Sequence, residues 1–286
     1  TEDFTNWAPK LKNVKSFENM FRLNVLFQGK GLNEWFKKEY NYRATNIAGL
    51  LSDVTASNPD VSNWDVSKIK DMRSLFNNCK AFTGKGLDNW DVSKCEDMSY
   101  MFRGIGTKGT SSLPNATLEK WDVSNVRNME YMFYEANNPS VKLEHWKPYQ
   151  CINYKKMFAS NQTMNYNLKN WVVVRGEIFD RMFENCTAFS ADLSSWRLNA
   201  ATSTIYMFAN CPQFNSDLSN WGMENVVDAE GMFYRASMFN QNIGQWKFKN
   251  LQNMKAMFQE AKSFKEDISR WNVANVLDMS KAFYKA

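Results

Sequence analysis

The sequence is short of the features that mark most membrane proteins, nucleic-acid-binding proteins and enzymes. No apolar run approaches the length that a bilayer-crossing helix needs. The formal net charge is only +5 at pH 7, and no block of Lys and Arg resembles a patch that binds nucleic acid or a membrane surface. We therefore expect neither nucleic-acid binding nor direct insertion into a membrane.

A catalytic apparatus is also missing from the pattern of residues. The only histidine, His145, has no nucleophile or acidic partner at a defined, recurrent spacing. We therefore predict a protein that is not an enzyme and that has no cofactor and no metal ion. The chain opens with Thr1-Glu2-Asp3, without the charged start and apolar core of a signal peptide. A mature secreted chain would begin in the same way.

A tryptophan recurs every 25 residues through most of the chain, and this repeat is the strongest signal present. From Trp121 onward the series continues with Trp146, Trp171, Trp196, Trp221, Trp246 and Trp271. We count each repeat from its Trp, so that the residue n positions later has offset n. Apolar residues recur at offsets 2, 5, 8, 11, 12, 15, 18 and 22. A fixed period of this size is the signature of a solenoid, in which stacked repeats bury together what one repeat cannot bury alone.

Two periods within the repeat predict its secondary structure. Offsets 0 and 2 alternate, as on one face of a strand, and offsets 5 to 15 step by three and four, as on one stripe of a helix. Ser at offset 3 or Asn at offset 4 suits a helix N-cap, and small polar residues before the next Trp suit a tight return. We therefore predict an α/β fold, a single right-handed solenoid with one short strand and one short helix per 25-residue coil.

The organisation of the chain follows from the repeat. Residues 1–63 keep the pattern only with slips and are interpreted as degenerate N-terminal coils or a cap. Residues 64–286 are regular coils, apart from a Gly-, Ser- and Thr-rich insertion at 103–120 and a last coil that stops at offset 15. No Pro/Gly/Ser-rich linker interrupts them, which predicts a single elongated domain.

The five cysteines obey the same register. Cys79, Cys186 and Cys211 occupy offset 15, and Cys95 and Cys151 occupy offset 5, where other coils place Ala or Val. We interpret them as buried free thiols that pack as small apolar residues. A disulfide between Cys186 and Cys211, at equivalent sites of adjacent coils, is the alternative. The odd number of cysteines argues against a disulfide framework.

The segments 214–221 and 121–136, FNSDLSNW and WDVSNVRNMEYMFYEA, carry a family likeness. They resemble the BspA-like leucine-rich-repeat surface proteins, and the resemblance covers nearly the whole chain. It implies a leucine-rich-repeat-like α/β solenoid, an extracellular or cell-surface location, and a role in adhesion or partner binding. The family supplies no catalytic residues. The degenerate first coils and the lack of an anchor or sorting motif depart from its pattern.

Residues that flank each Trp point away from the core of such a solenoid and line up into one outer face. Offsets 1 and 3 are Asp and Ser in the early coils, whereas the middle coils diverge. The divergent set is His145, Lys147, Tyr149, Val172, Val174, Arg197 and Asn199. Aromatic, apolar and Arg side chains together are typical of interface centres, so we predict a protein or glycan partner here. Neutral drift on a solvent face is the alternative.

Two ladders of aspartates could instead bind Ca²⁺ through stacked carboxylates. They lie at offsets 1 and 21 and comprise Asp65, Asp91, Asp122, Asp192, Asp217 and Asp267. Each coil supplies only about one carboxylate, so we interpret these residues as turn-forming. The main hypothesis is therefore an exported, non-enzymatic binding protein. The second is a structural subunit docked in a larger membrane or envelope assembly.

Overall fold

The computed structural model describes residues 3–106, 113, 118–136 and 141–286. The helices in these ranges are four short 3-10 helices, Thr5–Lys10, Leu32–Glu34, Lys38–Tyr40 and Leu87–Asn89. β-Pairing in the same ranges consists of nine isolated parallel bridges, which do not join into a sheet. Most of each repeat is therefore a succession of tight turns.

The predicted α/β solenoid is wrong, because the described coils contain neither the expected strand nor the expected helix. The helix fails because φ is positive at offsets 10 and 14 in coil after coil. A right-handed α-helix cannot pass through residues held in the left-handed conformation. The residues concerned are Ser74, Asn78, Tyr100, Gly104, Tyr131, Glu135, Lys156, Ser160, Arg181, Asn185, Tyr206, Asn210, Gly231, Arg235, Ala256, Glu260, Lys281 and Lys285.

The residues predicted as a strand also belong to turns. The backbone N–H of Trp121 donates to the carbonyl of Leu118 at 3.1 Å. Further along the same coil, the N–H of Val126 donates to the carbonyl of Val123, also at 3.1 Å. These bonds span three residues and fold the chain back on itself, so offsets 0 and 2 are buried without forming an extended ladder.

Hydrogen bonds between coils come from alternate residues. In the coil of Trp64, the N–H groups at offsets 8, 10, 12 and 14 donate to carbonyls at offsets 7, 9, 11 and 13 of the next coil. The pairs are Met72 to Asp97 (3.0 Å), Ser74 to Ser99 (2.8 Å), Phe76 to Met101 (3.0 Å) and Asn78 to Arg103 (2.7 Å). Residues between them close turns within the coil. The peptide groups that a helix would pair internally are thus paired with the neighbouring coil.

The predicted core is confirmed by burial. In the coil of Trp171, the side chains of Trp171, Val173, Phe179, Met182 and Phe183 are at most 2% exposed. Successive turns of three and four residues direct the same positions inward as a helix would. The apolar spacing therefore identifies which residues are buried without identifying the backbone that buries them.

Aromatic rings stack from coil to coil in the core. Trp196 lies on Trp221 with 6.3 Å between ring centroids, and Phe208 lies on Phe233 at 5.8 Å. Tryptophan also links the coils by hydrogen bonds, since Nε1–H of Trp196 donates at 3.0 Å to the carbonyl of Leu168, which lies 28 residues earlier in the chain. The Trp column therefore both fills the core and joins successive coils.

The chain divides into two compact units, Thr1–Trp146 and Lys147–Ala286. In the first unit, Phe4 packs edge-on against Phe21 with 5.1 Å between ring centroids, so the N-terminal segment covers part of the first coil. The predicted insertion at 103–120 belongs to this unit, and most of it lies outside the described residues. The second unit consists of regular coils.

Candidate binding surface

In the first unit, the outward-facing residues that follow Trp form hydrogen bonds with one another within each coil. At offset 1, an aspartate Oδ1 accepts a hydrogen bond from the backbone N–H of the Ser at offset 3. The pairs are Asp65 with Ser67 (3.1 Å), Asp91 with Ser93 (3.0 Å) and Asp122 with Ser124 (3.0 Å). Polar groups on this part of the surface are thus satisfied within the coil.

The second aspartate ladder behaves in the same way. Asp192 accepts a hydrogen bond from the backbone N–H of Ser194 at 2.9 Å, and Asp217 accepts one from Ser219 at the same distance. This geometry confirms that the two ladders form turns.

The equivalent positions diverge in the second unit. The side chains of Tyr149 and Val174, at offset 3 of neighbouring coils, are 45% and 44% exposed. The offset-1 side chains of Lys147 and Val172 cannot accept the hydrogen bond that the Ser N–H donates to aspartate elsewhere, and the Tyr149 N–H donates instead to the carbonyl of Lys147 at 2.8 Å. Ile152, three residues after Tyr149, is 39% exposed. The surface here consists of apolar side chains, whereas the same positions of the first unit hold Asp and Ser residues that hydrogen-bond within their own coil.

Polar residues flank this surface in the next coil. The Arg197 guanidinium donates to the carbonyls of Trp196 at 2.8 Å and Ser194 at 3.1 Å, which holds it close to its own backbone. Asn199 lies against Gly222, where an added Cβ would stand 2.2 Å from Asn199 Oδ1. Both side chains are therefore positioned before any partner arrives.

Six of the seven predicted residues share the second unit, and they occupy offsets 1 and 3 of three consecutive coils. They are Lys147, Tyr149, Val172, Val174, Arg197 and Asn199, of which Val172 is half-buried and the others are exposed. We call these six residues the divergent surface. The seventh, His145, belongs to the first unit, where its Nε2 lies 3.1 Å from Glu119 Oε1.

The sequence interpretation missed the partner of His145. Glu119 and Glu144 both stand two residues before a Trp, so they occupy equivalent positions of adjacent coils. Comparing that position across the repeats, rather than the outward offsets alone, would have revealed the pair.

A small polar cleft also lies in the first unit. It has a volume of about 180 Å³ and forms where one coil contributes only Ala48, Gly49 and Ser52 between Arg22 and Arg73. This volume is below the roughly 300–1,000 Å³ of most small-molecule sites. The cleft could admit only a small polar molecule.

The cysteines provide no nucleophile at either surface. All five are buried and free, which confirms the sequence interpretation. Burial raises the pKa of Cys79 to about 12 and does the same for Cys186. A thiol in this state is neither ionised nor reachable at neutral pH, so its role is packing.

Comparison with protein families finds matches along the whole chain. The family described as "Mycoplasma protein of unknown function, DUF285" matches residues 1–111, 106–221 and 181–286. The three matches confirm a protein built of tandem repeat segments. They do not confirm the resemblance to BspA-like leucine-rich-repeat proteins.

A comparison with curated proteins finds no match. Among solved structures, the chain is similar to one described as "Crystal structure of TLR13-ssRNA13 complex", with 12% identity and a TM-score of 0.27. The alignment covers 82% of this chain and 42% of that one. At this TM-score the likeness carries no argument about fold or ligand. Separately, no helix in the described parts of the chain combines the length and apolar character that crossing a bilayer requires.

Proposed function

The chain belongs to the DUF285 family, whose function is unknown, and we propose that it is a non-enzymatic protein that binds a protein or glycan partner through the divergent surface. The observation that carries this proposal is the exposure of Tyr149 and Val174, at 45% and 44%, where the first unit has closed Asp–Ser turns. The Tyr149 N–H instead donates to the carbonyl of Lys147 at 2.8 Å, so the coil keeps its turn and presents an apolar side chain where the first unit presents a polar one. Neighbouring exposed apolar side chains mark interaction sites.

The chemistry of the divergent surface suits a macromolecular partner. The Tyr149 ring and the Val174 side chain offer an apolar centre, and Arg197 and Lys147 offer hydrogen-bond donors beside it. Tyr and Arg are enriched among the residues that contribute most to binding at interfaces. The same combination fits a glycan, whose apolar ring face packs on an aromatic side chain while its hydroxyls accept hydrogen bonds.

The proposed location is outside the cell or on its surface. The support for it is the resemblance to surface proteins stated above and the density of repeats, which presents the same outer positions many times over. The partner is accordingly sought in the cell envelope.

The test is recovery of partners from the native envelope with the wild-type chain and with the double variant Tyr149→Ala/Arg197→Glu. We expect the variant to lose at least about tenfold of one partner, since truncating a central interface residue costs about 2 kcal/mol or more. The matched control is Lys247→Glu/Lys249→Ala, which changes the same two offsets of another coil. Equal recovery with both variants would move the interface away from the divergent surface.

A further inference from the structure

We propose that Glu119, Glu144 and His145 bind a divalent transition-metal ion, with Zn²⁺ as the fitting representative. One carboxylate oxygen from each glutamate and one imidazole nitrogen lie within 4.8 Å of one another. This trio lies wholly in the first unit and shares no residue with the divergent surface, so the proposal does not depend on the proposed function.

The repeat itself brings the three side chains together. Glu119 and Glu144 each stand two residues before the Trp of adjacent coils, and the Nε1–H of Trp146 donates to the carbonyl of Leu118 at 2.8 Å. This bond ties the two coils together next to the trio. The backbone positions of the donors are therefore fixed by the core and not by a loose loop.

The charges of the trio are unbalanced without a cation. His145 Nε2 lies 3.1 Å from Glu119 Oε1, whereas the Glu144 carboxylate has no hydrogen-bond or ion-pair partner among the described residues. Two carboxylates this close repel each other. A bound divalent ion would neutralise both and would replace the single His–Glu contact with three metal bonds.

The donor set selects the class of ion. Zn²⁺ binds imidazole nitrogen at about 2.0–2.1 Å and carboxylate oxygen at about 2.0–2.2 Å, commonly with three protein ligands and a water molecule. Ca²⁺ and Mg²⁺ take oxygen ligands and do not recruit imidazole. The His145 side chain is 60% exposed and that of Glu119 33% exposed, so both can rotate to close the remaining gap and leave a position for water.

The experiment uses the fact that His145 is the chain's only histidine. The imidazole NMR signals of the untagged protein report on this site alone during titration with Zn²⁺. We expect them to shift and saturate at one equivalent, while Ca²⁺ and Mg²⁺ at the same concentrations leave them in place. Glu144→Gln should weaken Zn²⁺ binding at least about tenfold, because it removes one charged ligand and leaves the His145–Glu119 pair intact.

The matched control is Glu135→Gln, an identical change at an exposed position of the same unit outside the trio. It should bind Zn²⁺ as the wild type does. Imidazole signals that stay unmoved at millimolar Zn²⁺ would overturn the proposal. Equal Zn²⁺ affinity in Glu144→Gln and Glu135→Gln would overturn it as well.

Discussion

Exchanging Ser160 for glycine and for alanine tests the left-handed positions directly. Ser160 has a φ of 64°, and its backbone N–H donates to the carbonyl of Glu184 in the next coil at 2.8 Å. An L-residue in this conformation costs roughly 1–2 kcal/mol, which glycine avoids. Glycine in turn loses about 0.5–1 kcal/mol more backbone entropy than alanine on folding. We therefore expect Ser160→Gly to be more stable than Ser160→Ala by about 0.5–1 kcal/mol.

A helix at the same position would reverse the sign. Alanine is favoured over glycine by about 1 kcal/mol in the interior of an α-helix. The stability of Ser160→Gly minus that of Ser160→Ala is thus expected to differ by about 1.5–2 kcal/mol between a left-handed and a helical backbone at this position. Unfolding measurements resolve a difference of this size. The assay is urea unfolding followed by tryptophan fluorescence, with midpoints compared at equal slope.

Gln162 provides the internal control. It follows Ser160 by two residues but is not among the residues with positive φ, so Gln162→Ala should be at least as stable as Gln162→Gly. The reasoning would be refuted if Ser160→Ala equalled or exceeded Ser160→Gly in stability. That outcome would mean that the backbone at offset 14 is not left-handed.

Three further outcomes follow from the core, the surface charges and the thiols. Trp196→Phe should lower the free energy of unfolding by about 2–3 kcal/mol, because it removes the hydrogen bond to Leu168 and part of the buried ring volume. A loss below about 1 kcal/mol in urea unfolding would contradict the role of Trp196 in filling the core and joining coils. The side chain of Lys169 lowers the pKa of Asp192 to about 2 from 3.8, so the pair stabilises the fold above pH 4 and this contribution disappears as the pH falls toward 2. Unfolding midpoints against pH should show that decline in the wild type and a shallower one in Asp192→Asn, although the effect is small because both side chains are exposed. A thiol reagent should label none of the five cysteines in the native protein and all five in denaturant, and rapid native labelling would show that the coils open.

The sequence was sufficient to predict which residues are buried in the core, but it was not sufficient to predict the conformation of the backbone. The Trp spacing and the apolar offsets identified the buried residues because side-chain burial follows a period that turns and helices share. The helix prediction failed at offsets 10 and 14, where the residues are as varied as Tyr206, Lys156 and Asn210. Glycine recurring at those offsets would have signalled a left-handed backbone, but only Gly104 and Gly231 occur there among the coils from Trp64 onward. Here the hydrogen bonds between coils impose the conformation on ordinary residues, and such bonds leave no local mark in the sequence.

The candidate sites were predictable to different degrees. Tyr149 and Val174 stood out because they break a repeated polar pattern, and the structure exposes both. Glu119 could not be identified from the outward offsets, because its nearness to His145 arises from stacking between coils. A repeat alignment fixes which positions are equivalent, whereas the chemistry of a site depends on which equivalent positions lie side by side.

The direction of the bonds between coils makes the second unit electrically polar. The peptide group of Ile178 and Phe179 accepts a hydrogen bond from Tyr154 through its carbonyl and donates one to Ser203 through its N–H. In an ordinary sheet the strand dipoles alternate and nearly cancel. In this column every peptide group points the same way, as in an α-helix. Columns at offsets 8, 10, 12 and 14 run in this direction, whereas N–H groups at offset 6 donate toward the earlier coil, as Glu177 does to Ile152 at 2.9 Å. Because the first kind of column is the more numerous, the second unit carries a net dipole along its stack, positive toward the later coils.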